Sequence, residues 1–150
     1  MSIKIICDNR KAFHNYQITE KFEAGLVLTG TEVKALRTGK ANIRDAYAVF
    51  MRRELFLLNA HISAYAMGNR ENHDPLRTRK LLMKREELDK LFGKSEIAGN
   101  SLVPIKMYFK KGLAKVELGL GKGKKLHDKR QSIKEKDDKR QMDKMMKRGR

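Results

Sequence analysis

The chain has 150 residues, with 35 Lys and Arg against 18 Asp and Glu, a net charge of +17 and an isoelectric point near 10.1. A single cysteine excludes an internal disulfide and any multi-cysteine zinc site. No apolar run approaches the ~20 residues of a spanning helix, and the apolar patch near the N-terminus falls short of the roughly 7–15 residues of a signal-peptide core. The expectation is a cytoplasmic protein with one hydrophobic core and a polyanionic partner, nucleic acid being favoured over an anionic membrane.

Residues 3–7 are β-branched and read as an opening strand. Asp8 or Asn9 is placed to cap a short helix through residues 12–14. Residues 16–28 read as a strand, with Tyr16, Ile18 and Phe22 spaced along it and Gly25 marking a bend or bulge. A compact helix follows over residues 29–39. Thr29 and Glu32 have capping-box spacing, Thr31 is an alternative cap, and Gly39 suits a left-handed stop. Val33 and Leu36 share its packed face, leaving Lys34 and Arg37 to project elsewhere.

Residues 46–51 and 55–60 form two strands around Arg52, Arg53 and Glu54. Residues 68–75 are a polar loop of turn formers, followed directly by Arg77, Arg79 and Lys80. Residues 85–92 make a helix with Leu88, Leu91 and Phe92 inward, stopped at Gly93. Residues 103–109 and 113–120 form the clearest hairpin, joined by a three-residue loop with Gly112 placed for a bulge. Ala114, Val116, Leu118 and Leu120 face one side of its second strand, Lys115 and Glu117 the other. Gly119, Gly121 and Gly123 then read as a flexible hinge where the folded domain, residues 1–120, gives way to a tail, residues 121–150. Short strands with interspersed short helices favour a mainly β, small closed barrel over a doubly wound sheet; alternation alone leaves a sandwich open.

The tail holds 13 Lys and Arg against 5 Asp and Glu and no aromatic residue. With so few apolar groups it is expected to be disordered alone. As a helix it has no continuous apolar stripe, but Glu135 with Lys139 and Asp143 with Lys147 give supporting pairs. Cations on most sides suit a channel walled by phosphates.

Catalytic chemistry finds little support. His14, His61, His73 and His127 lack metal-ligand spacing, nucleophile contexts are absent, and the glycines near residue 120 do not make a phosphate loop. No enzyme, cofactor or metal is expected. His73 and Asp74 form the one candidate acid–base pair, set against ordinary turn chemistry ahead of Pro75. Three basic clusters stand out: Lys34, Arg37 and Lys40; Arg77, Arg79 and Lys80; Lys122, Lys124 and Lys125. Any one is by default solvated surface charge; all three together fit phosphate binding better. Tyr47, Phe50, Tyr108 and Phe109 are candidates for base stacking or, more often for strand aromatics, for the core.

Three motifs carry a resemblance: GTEVKALRTGKAN over residues 30–42, NHDPLRTRKLL over residues 72–82, and KGLAKVELGLGKGKKLHDKR over residues 111–130. In collinear order they resemble the bacterial SsrA-binding protein (small protein B) family. The resemblance implies an oligonucleotide-binding-type β-barrel with flanking short helices, acting as a monomer. It implies partners as well: transfer-messenger RNA, whose tRNA-like domain the barrel holds, and the ribosome, which the complex enters when stalled on a broken message. The basic tail would become helical in the small-subunit decoding centre and empty message channel. Carried over by motif, Glu32, Lys34, Arg37, Lys40 and Asn42 belong to one RNA-facing region, and His73, Asp74, Arg77, Arg79 and Lys80 to a second. Lys122, Lys124, Lys125, Asp128, Lys129 and Arg130 begin the ribosome-engaging tail. A structural ribosomal protein with a basic extension, and a small RNA-cleaving enzyme using His73 and Asp74, are the competing readings.

Overall fold

A computed structural model describes residues 3–65 and 72–124. The expectations for the start of the polar loop and for the tail beyond Lys124, including Lys125, Asp128, Lys129 and Arg130, lie outside the described residues. The chain order is β1 (Ile3–Asp8), α1 (Lys11–Asn15), β2 (Tyr16–Leu26), α2 (Gly30–Arg37), β3 (Ala41–Asn42), β4 (Tyr47–Met51), β5 (Glu54–Leu58), β6 (His61–Ile62), β7 (Arg79–Leu82), α3 (Arg85–Ser95), β8 (Asn100–Lys110) and β9 (Leu113–Gly123).

The strands form the expected mainly β barrel. One antiparallel sheet runs β1-β8-β4-β5-β7-β2-β9, and β9 pairs back onto β8 and closes the ring. The other edge of β8 is divided, meeting β4 at Leu102 and β1 from Lys106 onward. Alternation sends Val116, Leu118 and Leu120 of β9 inward against Met107, Leu55, Leu57 and Leu81. Ala35 and Leu36 of α2 and Leu91 of α3 join the same core.

Several local expectations give way to long-range contacts. Neither Asp8 nor Asn9 caps α1, whose N-cap position is Arg10 with no side-chain bond. Asn9 is buried instead, and its amide donates to the Ile43 and Pro104 carbonyls. Gly93 does not end α3: an exposed interior glycine costs only about 1 kcal/mol. The helix stops two residues later, where the Ser95 hydroxyl and the Asn100 amide bond the Phe92 and Lys94 carbonyls. The β8–β9 loop has two residues, not three. Lys111 and Gly112 take φ of 53° and 74°, while Lys110 already pairs with Leu113. That primed turn matches the twist of the strands it joins. Arg79 and Lys80, read only as part of a basic cluster with Arg77, open strand β7, which turns Arg79 and Leu81 inward.

The hinge expected at residues 119–123 is paired strand. Gly119 sits opposite Lys21 and Val103, and Gly121 opposite Ile18 and Ser101, so both edges of β9 are filled. The glycines are there for close approach. A Cβ on Gly121 would lie 2.6 Å from the Gln17 carbonyl oxygen, which is backbone and cannot yield. One on Gly119 would meet the Ile105 and Ile18 Cδ1 atoms at 2.9 and 3.0 Å, flexible side-chain ends. Gly121→Ala is therefore expected to lower the unfolding free energy by about 3 kcal/mol and Gly119→Ala by about 1 kcal/mol. Urea titrations of both variants check the order; equal losses would contradict it.

Candidate nucleic-acid interface

The motif residues around α2 assemble on a buried ion pair. Thr29 and Glu32 form the expected capping box, with the Thr29 N–H donating to Glu32 Oε1 at 2.9 Å. The same carboxylate is also fully buried and does more than cap. Its Oε1 accepts from Arg77 Nη2 at 2.6 Å, and its Oε2 accepts from Nε of Arg79, itself fully buried. Arg79 donates three further bonds, to the Ala60, Arg77 and Pro75 carbonyls at 2.7–3.1 Å. Burial pushes the Glu32 carboxyl up. The bonds from Arg77, the Thr29 N–H and Arg79, with the Arg79 charge, pull it down further, and it lies below the ordinary glutamate value.

The polar loop docks on this centre. His73 Nε2 lies 2.8 Å from the Ile62 carbonyl, so this nitrogen carries a proton. Nδ1 lies 2.9 Å from the Thr31 hydroxyl, which it accepts from when the ring is neutral. Asp74 Oδ1 takes the Leu76 N–H at 2.9 Å in a turn through Pro75. The candidate acid–base pair is thus not assembled: both imidazole nitrogens are engaged and neither faces Asp74. Lys34, Arg37 and Lys40 remain exposed on the surface that this centre supports, Lys34 lying 5.7 Å from the Tyr65 ring centroid. Glu32 and Arg79 are sealed from solvent, so the direct phosphate contact expected of Arg79 is closed to it. Arg77 is half-exposed and Lys80 pairs with Glu54 at 3.4 Å. Asn42 is exposed and accepts the Arg44 N–H. Lys122 is exposed on β9, and the Lys124 N–H donates to the Asn15 carbonyl at 2.8 Å.

A second surface comes from strand register. Residues directly opposite one another share a face. The row Met107–Val116–Ala24 points inward and is buried. The neighbouring row Ile5–Tyr108–Lys115–Gly25–Leu82 therefore crosses five strands on the outside of the barrel. Leu82 and Ile5 are more than half exposed. Tyr108 is covered, its hydroxyl donating to the Glu23 carboxylate, and burial with that carboxylate pushes the phenol well above its ordinary value. Beside this row, β2, β7, β9 and α3 enclose a groove of about 760 Å³ carrying Lys21, Lys84, Lys90, Lys94 and Lys115 against Glu23 and Glu87. Lys94 pairs with Glu20 and Lys21 with Glu117. Lys84, Lys90 and Lys115 make no ion pair among the described residues. A cluster of unpaired ammonium groups around exposed apolar side chains suits a polyanion that also offers flat apolar surface, as nucleic acid does.

The sequence expectations missed this groove, since its lysines are spread over residues 21–115 and only register collects them. A second cleft, of about 680 Å³, carries Lys11, Arg44, Tyr16 and Tyr47, with the buried Asn9 Oδ1 lacking a partner among the described residues. Among the described residues Tyr47 is the one strand aromatic left exposed; Phe50 packs edge-on against Phe92, and Phe109 lies against the core.

Comparison with known proteins places the chain. A model of the SmpB protein family matches residues 6–148. The SsrA-binding protein of Geobacter sulfurreducens is 61% identical over 142 residues, which cover 95% of this chain and 93% of the relative. The SsrA-binding protein of Nostoc sp. is 56% identical over 147 residues, covering 97% and 95%. Among solved structures, a chain described as "tmRNA-SmpB: a journey to the center of the bacterial ribosome" superposes with a TM-score of 0.67 at 50% identity, covering 80% of this chain and 85% of that one. With the barrel, the cationic surfaces and the motifs all in agreement, the chain belongs to the SsrA-binding protein (SmpB) family.

Proposed function

We propose that this chain is an RNA-binding adaptor that holds the tRNA-like domain of transfer-messenger RNA and delivers it to stalled ribosomes, with no catalytic step of its own. The observation that carries the reading is the outer barrel groove, where Lys84, Lys90 and Lys115 make no ion pair among the described residues and stand beside exposed Leu82 in a chain of this family. Lys34, Arg37 and Lys40 with Asn42 provide a second set of contacts, which Glu32, His73, Asp74, Arg77 and Arg79 hold in place and Lys80 borders. Lys122 and Lys124 lead from β9 into the tail, where Lys125, Asp128, Lys129 and Arg130 begin the segment for the decoding centre and message channel. The tail acts as a conditional helix, folding where phosphates surround it.

The test is the salt dependence of binding to the tRNA-like domain. Neutralising Lys84, Lys90 and Lys115 together is expected to weaken binding and to lower the slope of log K against log[salt] by roughly 2–3, about 0.7–0.9 per lost phosphate contact. The triple change Lys34→Ala, Arg37→Ala and Lys40→Ala measures the second surface in the same titration. Unchanged slopes in both triple variants would place the RNA elsewhere on the molecule.

A further inference from the structure

The β4–β5 hairpin turns through Arg52 and Arg53, with φ of 53° and 62°. Both lie in the left-handed region of a two-residue primed turn, the geometry that Asn-Gly makes with least strain. Two bulky L side chains are held there instead, at a cost in backbone strain. Both arginines are exposed. Among the described residues neither has an acidic partner, since the adjacent Glu54 pairs with Lys80. Arg53 is not loose: its guanidinium lies 5.2 Å from the Phe92 ring centroid on α3, the helix that also supplies Lys90 and Lys94 to the groove. Position matters equally. Leu55 pairs with Leu81, which sets Glu54 level with Leu82, and Met51 pairs with Glu54. The turn therefore begins one residue beyond the strand row that ends in the groove.

We infer that the Arg52–Arg53 turn is a phosphate-contacting site for RNA, extending the track of the lysine groove past Leu82 around the barrel. Planar guanidinium groups bind phosphate oxygens in pairs. A turn strained into the left-handed region and braced on Phe92 presents them with little freedom left to lose on binding. This inference rests on the RNA-binding reading of the groove.

The deciding variant is Arg52→Asn with Arg53→Gly, because it relieves the backbone and leaves no ambiguity from unfolding. Its thermal midpoint is expected to rise by a few degrees. Its affinity for the tRNA-like domain is expected to fall about tenfold at moderate salt, with the salt slope lower by about 1–2. Arg52→Lys with Arg53→Lys keeps the charge and should retain most of the slope. If the Asn-Gly variant binds with an unchanged slope while neutralising Lys84, Lys90 and Lys115 lowers it, the turn is solvated charge and the inference is wrong. If neither set alters the slope, the groove reading falls first and takes this one with it.

Discussion

Glu32→Ala is expected to destabilise the protein by about 3–5 kcal/mol, because it leaves the fully buried Arg79 guanidinium charged and without its counter-ion. It also removes the capping box of α2, worth about 1 kcal/mol, and frees Arg77. The size of the effect comes from stranding a charge, not from the worth of the pair. A double variant replacing Glu32 and Arg79 with leucine should therefore recover much of the loss, though three carbonyl partners of Arg79 must then go without it. Additive losses in chemical denaturation would contradict this account. The pH dependence has a definite sign. The Glu32 carboxyl sits below its ordinary value of 4.5 when folded, so its stabilisation is complete above that value and is lost as pH falls through the folded one. Wild-type stability should fall in that acidic window, and Glu32→Ala should lack that component of the fall.

Removing residues 125–150 is expected to leave RNA binding largely intact while abolishing peptide tagging on stalled ribosomes. Every strand of the barrel and both candidate cationic surfaces lie before the cut. The removed segment carries 11 Lys and Arg against 5 Asp and Glu, so some affinity at low salt will go with it. Binding to the tRNA-like domain by gel shift and tagging in a reconstituted translation reaction separate the two effects. Parallel losses would show that barrel and tail do not divide the work as proposed.

What could be read from the sequence was what is local. The Thr29–Glu32 box declares itself within four residues, and so does the inward face of β9. The second role of Glu32 was hidden because its partners lie 45 and 47 residues away. Gly119 and Gly121 looked like a hinge because glycine is ambiguous alone; only the Gln17 backbone beside Gly121, and the Ile18 and Ile105 side chains beside Gly119, show that these positions are tightly packed. Strand β7 escaped notice because Arg79 occupies an inward position, where alternation leads one to expect an apolar residue. The groove is the extreme case, since no two of its unpaired lysines except Lys84 and Lys90 are near in sequence.

The pairing of β2 with β9 also sets the order of events as the chain folds. Tyr16 opposes Gly123 and Gly25 opposes Lys115, so one of the first strands made finds its principal partner among the last. Closing loops of that length before any contact rewards them makes for slow, all-or-none folding. In the interval the free edges of β2 and β8 are open to other chains. Without β9 the ring stays open between β2 and β8, and a polypeptide interrupted anywhere before that strand is left without a closed core.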